Sequence, residues 1–418
     1  MSMSDLQNPF GSKSWVMGLL RRAELNNLVF LACLFALLVF ARPVLAQEED
    51  WFKEADFTSA QECGACHASI YNQWTQSVHS RALTDPLYQT VLDKVLERQG
   101  GRNKIRCLSC HTPVASVSGT TIDVPTPIDW EGLSPVAMEG VTCDFCHTIS
   151  GREDLGENIA VGAYVFPRKG RTHVKYGPRS GSDGGAHPSE ASEFLRSGEF
   201  CAICHNKSHP VSATQVQSTY GEWRSGPYAA RGVQCQDCHM PGYTEPDGHT
   251  AKAHVFMGGR TEMVKKAATL TVFGNLASGT NPRTVEITAS VRNSGAGHAI
   301  PTGLTGLREM WLEVAVTDPS GNQIQQQRFW FGQRLLGRNG QETFFWEEFD
   351  KLEENRIFPE QSAENTFSVT VPQGLNGSLR VEARLMLHYI SRGIASELGL
   401  ATETIEMASS ATTISLDR

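Results

Sequence analysis

One spacing constrains this chain more than anything else in it: ten of its eleven cysteines fall into five copies of C-x-x-C-H. The copies are Cys63, Cys66 and His67; Cys107, Cys110 and His111; Cys143, Cys146 and His147; Cys201, Cys204 and His205; and Cys235, Cys238 and His239. Composition alone predicts roughly 0.01 such matches in a chain of this length. Cysteines three apart lie on one side of a helical turn, so both sulfurs reach the two vinyl groups of one haem and the following histidine sits beneath the iron. Five covalently bound haem c groups are therefore expected, each with its proximal histidine. A zinc half-site or a disulfide explains a cysteine pair, but not a histidine after the second cysteine every time.

The N-terminus suits such chemistry. Lys13, Arg21 and Arg22 precede an apolar run over residues 28–41, which is short for a membrane span and right for the core of an export signal. Val44, Leu45 and Ala46 offer a cleavage site, leaving Gln47 first and removing the eleventh cysteine, Cys33. The expectation is Sec-type export to the periplasm or beyond, the alternative being an uncleaved segment that anchors the chain to a membrane. Residues 1–46 hold four of the 37 Lys plus Arg and two of the 45 Asp plus Glu, so the remainder carries a formal charge of −10. That excess argues against nucleic acid and for redox proteins with a basic docking surface as partners.

Cysteine placement divides the mature chain. All five motifs fall within residues 47–265, a stretch rich in Gly, Pro and Ser with helices expected over 85–98 and 190–196. With so little polypeptide per cofactor, the haems must pack against one another. Weak repetition runs through this region: Gly140-Val141-Thr142 before the third motif matches Gly232-Val233-Gln234 before the fifth, and Tyr71-x-x-Trp74 matches Tyr220-x-x-Trp223. Five residues after Trp74 stands His79, whereas Tyr228 stands five after Trp223.

Residues 266–418 hold no cysteine and alternate with period two. Val285, Ile287, Ala289 and Val291 share one face, as do Leu312, Val314 and Val316, then Phe367, Val369 and Val371, then Leu379, Val381, Ala383, Leu385, Leu387 and Tyr389. The last series puts His388 on the opposite, polar face. Turn-forming clusters at 318–322 and 372–377 separate these runs, and an all-β, immunoglobulin-like sandwich is expected.

In ECGACH followed by YNQWTQSVHSRA, in MEGVTCDFCHTI, YGEWRSGPYAARGVQCQDCHMPG, HVFMGG and GAGHAIPTG, the chain resembles the multihaem c-type cytochromes related to the tetrahaem acceptor of hydroxylamine oxidoreductase. The resemblance covers most of residues 57–310. It implies a multihaem fold of loops and short helices packed on haems, and distal iron ligands at His79, His187 and His254. His209 and His298 are further distal candidates, the latter on a loop, residues 295–303, whose glycines and Pro301 favour a fixed turn. His173 and His249 complete the pool, and ligation by Met138, Met240, Met257, Met263 or Met310 is the alternative, one that raises the potential. The functional expectation is an electron carrier with no catalytic residues. The alternatives are an oxidoreductase acting on a small nitrogen or sulfur compound at one open haem, and a filament-forming cytochrome.

Overall fold

The structure, a computed structural model, describes residues 52–417 apart from 100–103, 121–127, 129, 154–163, 168–173, 180–184, 209–214, 246–247 and 259–261. The expected export segment, His173 and His209 therefore lie outside the described residues. Among the described residues no helix is long and apolar enough to cross a membrane.

The motif-bearing region is built of short helices and two- or three-residue strand pairs. Each C-x-x-C-H lies on or at the end of a helix: Ala60–Gly64, Lys104–His111, Cys143–Thr148, Gly198–His205 and Cys235–His239. The longest helix, Pro86–Gln99, starts where Pro86 presets φ and the Asp85 carboxylate accepts the N–H groups of Leu87 and Tyr88 at 3.0 and 3.2 Å. Its Leu92 and Leu96 enter a core shared with Phe57, Leu108 and Phe145. A different face of it, Leu87, Val91 and Val95, packs on Trp346, Ile394 and Leu398 from the second region. The expected helix over 190–196 is not formed. Ser189–Ala191 instead pairs in parallel with Lys175–Gly177, and only Phe194–Arg196 makes a 3-10 turn. Pro188 biases its neighbourhood toward extended backbone, and its carbonyl takes the Lys175 N–H.

The second region is a sandwich of seven long strands: β1 Ala268–Leu276, β2 Thr284–Asn293, β3 Glu309–Thr317, β4 Gln323–Phe331, β5 Ser362–Thr370, β6 Ser378–His388 and β7 Thr404–Ser415. One antiparallel sheet runs β5–β2–β1 and the other β4–β3–β6–β7. The period-two residues of β2, β3 and β6 are completely or almost completely buried between the sheets, because the strands alternate their side chains across the pleat. His388 lies on the face opposite the sandwich core, as expected, but that face is covered there. It is buried, with Nδ1 3.0 Å from the Glu309 carboxylate and its ring 4.5 Å from that of Trp311. Cross-strand pairing with Glu309 supplies the polar partner that burial requires.

Residues 333–354 form a small three-stranded sheet beside the sandwich, and the helix Arg392–Leu398 adds to the same side. Both supply side chains to the cluster that grips the Pro86–Gln99 helix. The segment Phe52–Arg418 is accordingly one compact unit.

Candidate functional site

Four of the five motif histidines face a second histidine. Ring centres lie 6.4 Å apart for His67 and His187, 6.3 Å for His205 and His79, 6.3 Å for His147 and His254, and 6.2 Å for His239 and His298. Two imidazoles bound through Nε2 to opposite sides of one metal ion, at about 2 Å each, stand about 6 Å apart between ring centres. The four spacings fit that requirement.

Hydrogen bonds fix which nitrogen is free. Nδ1 of His111, His147 and His239 lies 2.5, 2.6 and 2.5 Å from the carbonyls of Ala82, Tyr176 and Met257. On the facing histidines, Nδ1 of His254 and His298 lies 2.9 and 3.0 Å from the carbonyls of Lys252 and Ala299. A carbonyl can only accept, so Nδ1 donates and Nε2 keeps its lone pair. Burial also lowers the pKa of His147 and His298. It holds His79 at about 3, helped by the neighbouring His205, and His111, His205 and His254 at about 4.

The cysteines bring motifs edge to edge. Cys63 contacts Cys143, Cys110 contacts Cys204 and Cys201 contacts Cys235 through their sulfurs. These contacts join the first motif to the third, the second to the fourth and the fourth to the fifth. Cys146 of the third motif is close enough to act on both Cys201 and Cys204 of the fourth. Burial pushes the Cys146 thiol up to about 12.

His111 differs from the other four. The Tyr88 ring stacks on it at 3.6 Å and 6°, and no histidine pairs with it among the described residues. Among the described residues the buried Tyr88 hydroxyl has no hydrogen-bond partner.

Against known proteins, residues 62–148 match the family model described as cytochrome c554 and c-prime. The fold is similar to that of a penta-heme cytochrome c552 from Thermochromatium tepidum, with a TM-score of 0.67 and 21% identity over 86% of this chain and 99% of that one. The chain carries a cytochrome c554-type multihaem domain followed by an antiparallel β domain. A CARDB domain of the PF1109 protein from Pyrococcus furiosus also matches, at 13% identity over 35% of this chain and 85% of that one, but its TM-score of 0.18 carries no weight. No curated protein sequence matches the chain.

Haem c is thus the cofactor of this cytochrome domain, and the residues present fit it. Paired thiols lie beside imidazoles, Nε2 is free on His111, His147 and His239, and the facing rings leave room for one iron between them. Of the distal candidates, His79, His187, His254 and His298 each lie opposite a motif histidine, and His209 lies outside the described residues. The His249 backbone carbonyl accepts the Glu245 N–H at 2.7 Å. Met257 acts through its backbone carbonyl on His239. Three residues escaped sequence reading: Tyr88, and the side chains preceding the two repeated tryptophans, Gln73 and Glu222. For the latter two the repeat itself was the available signal.

Proposed function

We propose that this protein is an exported five-haem cytochrome that passes electrons along a closely packed haem series between redox partners outside the cytoplasm. The observation that carries the reading is the set of four imidazole pairs at one-iron spacing, on motifs whose cysteines touch. In this reading the ten motif cysteines hold the haems and His67, His111, His147, His205 and His239 are proximal ligands. His187, His79, His254 and His298 complete the coordination of the first, fourth, third and fifth motifs. Haem c supplies an iron that cycles between ferrous and ferric states. The protein contributes burial, ligand orientation through the Nδ1 bonds, and exclusion of water. The fourth motif touches the second and the fifth and lies near the third, which makes it the junction of the series. An excess of carboxylates on the mature chain favours partners with a basic docking face, and the N-terminal segment either leaves on export or tethers the chain to a membrane.

Intact mass of the exported protein should show five haem additions on a chain beginning near Gln47. Four or fewer in fully matured material would end the five-haem reading. Electron transfer from a basic donor should slow as salt is raised, since oppositely charged surfaces steer the encounter.

A second reading, an oxidoreductase acting on a small nitrogen or sulfur compound, is favoured by one observation: Tyr88, and no described histidine, lies against His111. Electron paramagnetic resonance of the oxidised protein separates the two. One high-spin haem per chain supports the open site, and five low-spin haems support the carrier alone.

A further inference from the structure

Both repeated tryptophans follow a residue with a side-chain carbonyl or carboxylate oxygen, and each of those oxygens reaches across the molecule. Gln73 Oε1 accepts the backbone N–H of His254 at 2.8 Å, from a partner 181 residues away. Glu222 Oε2 accepts the backbone N–H of Ala299, next to His298, at 3.2 Å and the Thr302 hydroxyl at 3.0 Å. His254 faces His147 and His298 faces His239. One helix position therefore grips, in both repeats, the strand of backbone that presents the imidazole opposite the C-x-x-C-H that follows the repeated Gly-Val.

The two grips differ in depth. Gln73 is half-buried and acts alone. The Glu222 carboxylate also takes the Ser218 hydroxyl and Arg356 Nη1, each at 2.5 Å, and the Glu222 and Arg356 side chains are both only 4% exposed. Arg356 is in turn held by the Glu354 carboxylate through Nε and Nη2 at 2.8 and 2.9 Å. Within the β domain, Asn293 ties the loop to its own sandwich by donating to the carbonyls of His298 and Ile357. Asn293 thus holds the loop's shape, and Glu222 holds the loop to the haem region. Ala299 is fully buried, so its N–H has no water to turn to when the carboxylate is removed.

We propose that Gln73 and Glu222 are equivalent positioning residues, each fixing the backbone that presents the second axial imidazole and so keeping its haem closed to external ligands. The proposal rests on the reading that His147 with His254, and His239 with His298, each hold one haem. Neither residue touches the reacting iron; both act through the histidine they place.

The test uses the fully haem-loaded protein, reduced and titrated with carbon monoxide, which binds a haem iron only where an axial position opens. His254→Ala and His298→Ala should each raise uptake by one molecule per chain over wild type. Gln73→Leu and Glu222→Leu should raise uptake at the same haems and convert one low-spin resonance signal to high spin, leaving the rest unchanged. Glu222→Leu combined with His298→Ala should take up no more than His298→Ala alone. Gln73→Glu keeps the acceptor oxygen and should behave as wild type. If the histidine variants take up the extra molecule while Gln73→Leu and Glu222→Leu do not, the positioning role is overturned and the ligand reading stands. No extra uptake in the histidine variants overturns both. Should Glu222→Leu fail to assemble, Gln73→Leu and Thr302→Val carry the same test at gentler positions.

Discussion

Two segments of the haem region, one carrying the first and third motifs and the other the fourth and fifth, make the same contacts and part company at a few positions. In the first, Trp74 Nε1 donates to the Val141 carbonyl at 2.9 Å, and the Val141 N–H donates to the His79 carbonyl at 3.0 Å. In the second, Trp223 Nε1 donates to the Val233 carbonyl at 2.8 Å, and the Val233 N–H donates to the Tyr228 carbonyl at 3.0 Å. Gly140 and Gly232, just before those valines, both have positive φ, 71° and 77°. Cys63 meets Cys143 as Cys201 meets Cys235. The segments are two copies of one module, and each takes its facing histidine from outside itself. His254 comes from beyond the second copy, and His298 comes from the β domain.

The differences are insertions and ends. Between Ala82 and Gly140 the first copy admits the Pro86–Gln99 helix and the whole second motif, whereas in the second copy Arg231, the counterpart of Ala82, is followed directly by Gly232. His79 faces His205, the first motif of the next copy. Tyr228 has no next copy to face, and packs on Gly297 of the β-domain loop.

The comparison breaks most sharply at the tryptophans. Trp74 is buried in the module core, and Trp74→Ala should cost about 3–5 kcal/mol in a denaturant melt of the holoprotein. Trp223→Ala, at a half-buried ring, should cost less. Equal losses would mean that the two rings are equivalent in packing as well as in hydrogen bonding.

Next come the ion pairs beside the second motif of each copy. Asp144 is almost wholly buried and bound by Lys175 at 2.5 Å, while Asp237 and Lys252 meet at 2.8 Å in the open. Lys175→Met leaves a buried carboxylate without its counter-charge, held by the Thr58 N–H and the Thr148 hydroxyl, and should cost about 3–5 kcal/mol, against about 0–1 kcal/mol for Lys252→Met. The bond from Lys252 holds the Asp237 carboxyl below its ordinary pKa. Its small contribution is therefore present above the ordinary carboxylate range and fades as pH falls below it. A melt series between neutral and acid pH, with and without Lys252→Met, reads this out.

Smaller again is the difference between the glycines. A Cβ on Gly140 would stand 2.6 Å from the His79 carbonyl oxygen, whereas one on Gly232 meets nothing within 4 Å. Gly232→Ala should cost only the left-handed backbone penalty of about 1–2 kcal/mol, and Gly140→Ala should cost more and disturb the haem signal assigned to His79. The least effect is expected of Tyr228→His. With no motif histidine opposite it, the variant should leave every haem spectrum unchanged, whereas His79→Ala should convert the fourth-motif haem alone to high spin. A new low-spin signal in Tyr228→His would show that the second copy does face a haem.

By itself the sequence determined the five C-x-x-C-H motifs, the tryptophan and Gly-Val repeats, and the inner faces of β2, β3 and β6. Each is a local pattern: three residues of spacing, one helical turn, or a period of two. Which histidine faces which was decided by tertiary structure, because the pairs join residues as far apart as His79 and His205 through insertions and loops that carry no periodic signal. The same holds for the extended segment at 189–191, where pairing with Lys175–Gly177 overrides a weak helical pattern. It holds too for His388, buried because Glu309 on the neighbouring strand meets it. Gln73 and Glu222 look like ordinary surface polar residues in sequence. Only the fold brings His254 and Ala299 to them, since a buried N–H must find an acceptor wherever the chain can supply one.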